Sequence, residues 1–315
     1  MKLSLPSSSR FCPACGEQRP FCLVRRLRQP GEKLALEVEE CERCQLVHLR
    51  QAMDEQTLLE YSLAFGEAME SGAGGKGPEK ALRQARVRAR GFSHLPAGRV
   101  LDIGCGPAYF LAAMQELGWT AHGIEPNPGA AERASQRLSS PIHAGPLETF
   151  ESAAPFELIS MWHVFEHLDD PSDGLRRCAA LLAPGGRVFF EVPFIDSLEA
   201  AAAGAYWMGY RNPTHHWMYR ERSLRLLAER AGLAVERLGP VRSGAGWYGL
   251  KRGLKGRMLQ RDFYQDRLQG SKVRASLWRR AAAGLLGWYP VDRALDLAAG
   301  LLGRGDVLHG WFRKP

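Results

Sequence analysis

From residue 99 onward, apolar and polar positions follow two alternating patterns. Short runs rich in apolar residues, typical of buried strands, are followed by longer runs in which apolar residues recur every three or four positions, as in helices that face a core. Strands that alternate with helices predict a parallel sheet covered on both faces, with ligands bound beyond the carboxyl ends of the strands. The predicted strands are Arg99–Asp102, Thr120–Glu125, Ile142–Ala144, Phe156–Met161, Arg187–Val192, Leu233–Leu238 and Asp306–Arg313.

The rest of the chain is organised around the turn that follows the first strand. Gly104 and Gly106 flank Cys105, and a helix is predicted directly afterwards over Ala108–Leu117. Glycine permits positive φ angles and a close approach of the backbone to a ligand, and the turn points a helix N-terminus at that ligand. Tyr109 occupies the position of the third glycine of the dinucleotide fingerprint, which argues against a nicotinamide or flavin cofactor.

Two acidic residues end neighbouring predicted strands. Asp102 would repel a pyrophosphate but attract a ligand with ammonium and sulfonium groups, and Glu125 lies about 20 residues past the loop, where a carboxylate can hold ribose hydroxyls. The alternative is a glycine turn whose acids serve only as caps.

This stretch resembles motif I and the following acidic strand end of class I S-adenosylmethionine-dependent methyltransferases, and the resemblance extends from Arg99 to about Pro240. It implies an α/β fold with a Rossmann-like seven-stranded sheet. It also implies a methyl-donor site formed by Asp102, Gly104, Cys105, Gly106, Glu125, Pro126, Leu147, Glu148, Trp162 and His163.

A second cluster of titratable residues leaves the fourth predicted strand. Residues 162–171 resemble the His-x-x-Glu-His-x-x-Asp-Pro signature of small-molecule methyltransferases, including quinone O-methyltransferases and deoxysugar methyltransferases. A neutral histidine here can take a proton from a hydroxyl as the methyl group arrives. His167 and Glu166 are therefore candidate catalytic residues, whereas the alternative for His163 and Glu166 is that they only cap and pack this loop.

A third cluster, rich in aromatic residues and histidines, lies in residues 206–219, outside the core periodicity. It resembles the substrate-facing histidine stretch of the same families, and a loop at this position predicts contact with the substrate. His215 or His216 is the preferred candidate for the base, ahead of His167. The alternative is that these histidines only pack. Methyl transfer requires in-line placement of the reactants, so no nucleophile or catalytic metal motif is expected.

The N-terminal part contains two C-x-x-C pairs, which predict a structural zinc ribbon. A β-hairpin fits between them, and four thiolates leave no open coordination position for catalysis. His48 can substitute for a ligand, but the alternating pattern around it favours an ordinary strand residue. Disulfide pairing and thioredoxin-like redox chemistry are the disfavoured alternatives. The predicted zinc ligands are Cys12, Cys15, Cys41 and Cys44. The following stretch, residues 44–61, resembles the junction between a zinc ribbon and a methyltransferase domain.

The 315-residue chain carries a net charge of +8, and its seven cysteines are not preceded by a stretch of signal-peptide shape. We therefore expect reduced thiols and a cytoplasmic protein, peripheral to the inner membrane face if the basic region binds lipid. Residues 250–304 are predicted to be a basic helical insertion. Four alternative roles are open for this insertion: it contacts a membrane or a lipid-linked acceptor, it covers the cleft as a lid, it binds RNA, or it only exposes a solvated arginine face.

These observations predict S-adenosylmethionine-dependent methyl transfer to a small molecule, namely a sugar, lipid-linked or quinone-like hydroxyl or carbon. An rRNA methyltransferase is the main alternative, but acidic residues of the ribbon such as Glu37 and Glu40 make nucleic acid the less favoured partner. The second alternative is a non-catalytic module that binds the donor. The predicted domains are a zinc ribbon (1–50), a linker with lead-in helices (51–98), a methyltransferase core (99–249 and 305–315) and the insertion (250–304).

Overall fold

A computed structural model describes residues 11–18, 21–27, 36–50, 78–138, 140, 142–242, 254 and 304–315. The linker segment 51–77, with its glycine-rich stretch, lies outside the described residues, and so does the predicted insertion apart from residues 254 and 304. The chain forms two compact units. The first unit comprises Met1–Tyr61, Val192–Leu226 and Leu238–His309, and the second comprises Ser62–Glu191, Leu227–Arg237 and Gly310–Pro315.

The larger sheet has six strands: β4 (Arg99–Ile103), β5 (Thr120–Ile124), β6 (Phe156–Trp162), β7 (Leu182–Pro193), β9 (Ala234–Val241) and β10 (Val307–Arg313). Their order in the sheet is β5-β4-β6-β7-β10-β9. The pairs β4–β5, β4–β6 and β6–β7 are parallel, as predicted. Consecutive parallel strands need helical crossovers, which gives the α/β arrangement inferred from the sequence.

The predicted third strand of this sheet is reduced to a single parallel bridge between His143 and Ile124. Prolines at positions 141 and 146 flank it, and a proline lacks the N–H that would extend the ladder. Strand β7 begins at Leu182, earlier than predicted, and its pairing with β6 shifts in register between Phe156 and Leu158.

In the described residues, most apolar side chains of the helices are buried, as the periodicity predicts, although Val87 is 63% exposed. In the helix after the glycine turn, Leu111 and Met114 are fully buried, but Leu117 is 40% exposed because the helix ends at Glu116 and Leu117 is its C-cap. The helices are α1 (Pro78–Arg90), α2 (Tyr109–Glu116), α3 (Pro128–Leu138), α4 (Pro171–Leu181), α5 (Leu198–Ala203), α6 (Met208–Arg211) and α7 (Glu221–Arg230).

The smaller sheet belongs to the first unit and is antiparallel, with the order β1-β2-β3-β8. The hairpin predicted between the cysteine pairs is present, and His48 is a strand residue, with Nδ1 3.2 Å from a Glu39 carboxylate oxygen. The strands are β1 (Phe21–Leu27), β2 (Leu36–Cys41), β3 (Val47–Arg50) and β8 (Trp217–Met218).

The expectation that residues 206–219 form a loop is wrong in part, because the segment contains regular secondary structure. This segment contains α6 and β8, and its aromatic residues Trp207, Trp217 and Tyr219 are at most 2% exposed. Sequence periodicity missed it because the elements are shorter than one full repeat of the pattern. None of the helices in the described ranges is both long enough and apolar enough to span a bilayer.

Candidate functional site

The glycine turn after β4 has the backbone geometry that its sequence requires. Gly104 has a φ of +69°, and a Cβ there would lie 2.5 Å from a Val164 methyl group. Gly106 also has a positive φ, of +50°, with open space where its Cβ would be. The amides of Gly104 and Cys105 donate to the Ile124 carbonyl at 2.8 and 3.0 Å, which ties the turn to β5. Burial raises the pKa of the Cys105 thiol, so this residue stays neutral.

Glu125 is held at the end of β5 by two backbone amides. Its Oε2 accepts from the Gly106 amide and its Oε1 from the Asn127 amide, both at 2.9 Å. Burial raises the pKa of Glu125, and the two hydrogen bonds oppose that shift. Each carboxylate oxygen has a second lone pair, so a side chain fixed in this way can still accept from ribose hydroxyls. Pro126 joins Glu125 to Asn127, whose side chain caps α3 through the Ala130 amide at 3.0 Å.

Asp102 is a buried carboxylate at the end of β4, with 3% of its surface exposed. Ser160 on β6 donates a hydrogen bond of 2.6 Å to its Oδ1. Burial raises the pKa of Asp102 to about 7, although Ser160 and the charge of Arg88 on α1 act in the opposite direction. Sequence reasoning assigned neither Ser160 nor Arg88 to the donor site, because neither residue belongs to a recognisable motif.

His163 lies directly after β6 with a φ of +55°, in the left-handed region that is uncommon for a residue with a side chain. Its Nδ1 is 3.4 Å from Glu166 and its Nε2 is 3.1 Å from Glu191, and both carboxylates are nearly fully buried. The His163 side chain is packed among protein atoms on several sides, yet 45% of its surface stays open to solvent. Burial lowers the pKa of His163, but the two carboxylates outweigh burial and raise it to about 10.

An imidazole whose two nitrogens both face carboxylates is protonated on both and has no lone pair left to accept a proton. His163 is therefore unsuited to act as a base at neutral pH. Arg88 adds a positive charge next to Glu191. Its guanidinium lies 3.6 Å from the Glu191 carboxylate and 4.6 Å from the centre of the Trp162 ring. Glu191, like Ser160, was not singled out from the sequence, because nothing in a strand interior distinguishes a functional acid.

Replacing His163 with glutamine should destabilise the protein in a pH-dependent way. Because the folded-state pKa is raised from 6.5 to about 10, the stabilisation is fully present below about pH 6.5 and is lost as the pH rises through about 10. We expect a loss of about 1 kcal/mol near pH 6, since the half-exposed ring is partly screened. Urea unfolding near pH 6 and pH 10 measures it. The exposed His94→Gln is the control, and an equal loss at both pH values would contradict the ion-pair assignment.

The remaining predicted donor-site residues lie on two other elements. Leu147 is buried and Glu148 is exposed in the short helical turn Leu147–Thr149, which is fixed by a 2.9 Å contact between His143 Nε2 and Thr149 Oγ1. Trp162 packs between Phe110 and Phe189, with ring centres 5.3 and 4.7 Å away. Most of the Trp162 ring is therefore committed to the core of the second unit.

The second unit fits a cationic donor. Four carboxylates at the ends of β4 to β7 (Asp102, Glu125, Glu166 and Glu191) are accompanied by two cationic side chains, Arg88 and His163. Burial is the main cause of the raised pKa values of Asp102 and Glu125, so a cation bound beside them would favour their charged forms. This balance suits S-adenosylmethionine, which carries sulfonium and ammonium groups, and would disfavour a dianionic pyrophosphate.

The candidate base residues lie on different elements of the chain. In the first unit, His215 is 7% exposed and its Nδ1 lies 2.8 Å from the Gly209 carbonyl oxygen. A carbonyl only accepts, so Nδ1 carries the proton and Nε2 is the basic nitrogen. His216 is equally buried, and its carbonyl accepts from the Leu49 amide at 2.8 Å. In the second unit, His167 ends the helical turn Phe165–His167, and Glu166 is fully buried there and faces His163.

The four predicted zinc ligands come together in the first unit, with all Sγ atoms within 4.8 Å of one another. Cys12 and Cys44 are 3.5 Å apart, and Cys15 and Cys41 are 3.6 Å apart, close to the separation of about 3.8 Å that tetrahedral Zn–S bonds of about 2.3 Å impose. A hydrogen bond from Cys44 lowers the pKa of Cys12 to about 6.

The two cysteine turns share one geometry. In each, the amide of the residue after the second cysteine donates to the carbonyl of the first at 2.8 Å: Gly16 to Cys12, and Gln45 to Cys41. Both donors have positive φ, +75° and +62°. The repeated geometry turns two sulfurs of each pair to one side, so the cluster is able to hold a metal ion.

Comparison with known proteins identifies related methyltransferases. Residues 77–238 match a family described as "Methyltransferase domain". "Ubiquinone biosynthesis O-methyltransferase" from Caulobacter sp. (strain K31) is 32% identical over 173 residues, which is 51% of this chain and 69% of the relative. The protein of that name from Xanthomonas axonopodis pv. citri is 31% identical over 182 residues, 51% and 74% of the two chains.

A solved structure shows the same fold. A chain from the complex between the Haloferax volcanii Trm112 methyltransferase activator and a methyltransferase superposes with a TM-score of 0.52 at 14% identity, covering 84% of this chain and 100% of that one. The chain thus has a Rossmann-like methyltransferase fold, belongs to the methyltransferase-domain family and is an S-adenosylmethionine-dependent methyltransferase.

Proposed function

We propose that the enzyme transfers a methyl group to a hydroxyl of a small molecule, of sugar, lipid-linked or quinone-like type, and that His215 removes the hydroxyl proton. The observation that carries the proposal is the hydrogen bond from His215 Nδ1 to the Gly209 carbonyl, which leaves Nε2 as the basic nitrogen. Relatives named ubiquinone biosynthesis O-methyltransferase support an oxygen acceptor. Transfer to carbon needs the same proton removal.

S-Adenosylmethionine, when bound, supplies an electrophilic methyl group on a sulfonium. The chain's own residues bind and orient it: Glu125 accepts from the ribose hydroxyls, and the Asp102 carboxylate provides the negative potential that favours a cation. His163 stays protonated between its two carboxylates and holds the turn after β6 in its left-handed conformation. His215 takes the acceptor proton on Nε2, with Gly209 fixing the orientation of its ring.

The His215→Gln variant tests the proposal. Without the base, kcat should fall about 10²- to 10⁴-fold, whereas the Kd for S-adenosylmethionine should be unchanged, because the donor-site residues lie in the second unit. S-Adenosylhomocysteine release is measured with panels of hydroquinones, catechols and nucleotide-linked sugars. His216→Gln is the matched control and should lose much less activity. Full turnover by His215→Gln would refute the assignment, and donor binding without turnover of any acceptor by the wild type would favour the non-catalytic alternative.

We further propose that the four cysteines bind structural zinc. The sulfur separations and the repeated turn geometry support this assignment. When bound, zinc would cross-link β1–β2 to the two cysteine turns and supply no catalytic chemistry, since four thiolates fill its coordination shell. The proposed membrane or lipid-linked contact of the basic insertion concerns residues outside the described ranges and remains a prediction.

A further inference from the structure

The cysteine module and the segment with the candidate histidines share one sheet, although about 170 residues separate them in the sequence. Strand β3 begins three residues after Cys44 and pairs with β8, with Val47 opposite Met218 and His48 opposite Trp217. The Leu49 amide extends this ladder by donating to the His216 carbonyl at 2.8 Å. The backbone of the histidine pair is thus attached to the strand that leaves the second cysteine turn.

In the first unit, apolar side chains of the cysteine module also pack against those of the histidine segment. Val38 and Leu49 of the cysteine module lie in one buried cluster with Trp207 and Met218 of the histidine segment. On the other side of the strand pair, the Trp217 ring lies 4.9 Å from the His48 ring and 6.2 Å from the Phe21 ring. Buried apolar side chains of both segments therefore contribute to one cluster.

Arg220 makes a polar link between the two segments. Its guanidinium lies 2.7 Å from Glu40 on β2 and 2.9 Å from Asp196, and it donates to the Gln45 carbonyl at 3.3 Å. Gln45 is the residue of positive φ that shapes the second cysteine turn. The side chain is only 24% exposed, so these charge-assisted contacts are partly shielded from water. A single arginine therefore ties a cysteine turn to the chain that follows His216.

We infer that metal binding at the four cysteines orders strand β8 and the histidine pair His215–His216 that directly precedes it, with His48, Trp217 and Arg220 as positioning residues. The inference rests on the proposed function, and it gives the cysteine module a role in holding the base. A strand of two residues has no stability of its own, and small cysteine-rich modules fold with their metal. Loss of the metal removes the partner strand of β8 and releases the histidine pair.

Hydrogen exchange of the full-length protein tests this, before and after zinc is removed with a chelator. Amides of residues 46–50 and 207–219 should exchange at least about 10-fold faster without zinc, whereas those of β4 and β5 should be unchanged. Zinc lost with no change in residues 207–219 overturns the inference and leaves the metal assignment intact. Purified protein that neither contains nor binds zinc overturns both. S-Adenosylmethionine affinity, measured in parallel, reports the donor site separately.

A second test measures the coupling in the opposite direction. If bound zinc orders the histidine segment, contacts of that segment must in turn stabilise bound zinc, because linkage between two sites is reciprocal. Arg220→Met should release zinc to a chromophoric chelator at least about 10-fold faster than the wild type, and Arg220→Lys, which keeps the charge, should restore part of the difference. Arg225→Met is the matched control, since Arg225 pairs only with Glu221 of its own helix among the contacts described. Equal zinc release by Arg220→Met and Arg225→Met overturns the inference.

Discussion

Replacing Cys44 with serine should abolish stoichiometric zinc binding and lower the Tm more than any other single substitution proposed for this chain. Cys44 is fully buried, and its sulfur lies 3.5 Å from that of Cys12. Structural zinc contributes on the order of 10 kcal/mol to the folding of small metal-binding modules, so the loss of one ligand removes much of that stabilisation. Elemental analysis of the purified protein and calorimetric unfolding measure the two effects.

Cys22→Ser is the matched control for this experiment. Cys22 lies in β1 with an exposed side chain, outside the four-sulfur cluster, and its sulfur lies 3.6 Å from the Glu40 carbonyl oxygen. We expect this variant to retain zinc and to unfold at the wild-type temperature. A Cys44→Ser protein that binds one zinc ion with unchanged affinity would show that the cluster is not a four-cysteine site.

Asp102→Asn should weaken S-adenosylmethionine binding at least about 10-fold while it stabilises the protein without ligand. The asparagine keeps the hydrogen bond from Ser160 but loses the negative charge that favours the cation. Interactions with charged groups contribute about 1.5–3 kcal/mol, and each 1.4 kcal/mol corresponds to a tenfold change in Kd. Isothermal titration calorimetry measures the affinity. Asp173→Asn, at a partly exposed position of α4 where the acid pairs with Arg177, is the control.

The stability effect of Asp102→Asn depends on pH with a definite sign. The folded-state pKa of Asp102 is raised from 3.8 to about 7, so the stability that this group contributes is fully present below about pH 3.8 and is lost as the pH rises through about 7. The variant should therefore have a Tm about 2–4 °C above the wild type at pH 8, with no gain near pH 4. Wild-type affinity for the donor should likewise fall as the pH is lowered through 7. A Tm difference that does not change with pH would contradict the buried-charge assignment.

Local patterns predicted the sheet and its glycine turn because both depend on near neighbours in the sequence. Gly104 needs its positive φ, Asp102 and Glu125 end adjacent parallel strands, and parallel strands bring those ends to one edge of the sheet. The paired cysteines likewise predicted their own turns. The resemblance to methyltransferases then supplied the donor, which the family match supports.

The side chains that contact the site residues could be identified only from the tertiary structure. Ser160 and Glu191 lie in strand interiors, where sequence pattern reports burial but not which side chain lies opposite. His163 matched a motif, yet only the positions of Glu166 and Glu191 show that both its nitrogens face carboxylates. The protonation state of a histidine depends on what surrounds it, and the two carboxylates beside His163 come from two different elements.

By itself, the sequence determined the parallel α/β core, the acids at its strand ends and the two cysteine turns, because each follows from periodicity or spacing over fewer than about 30 residues. Only the tertiary structure decided that β8 joins the cysteine sheet and that Arg220 reaches Glu40. These contacts join residues some 170 positions apart, and a strand of two residues has too little pattern to reveal its partner. Pairing over such distances is selected by the packing of the whole unit.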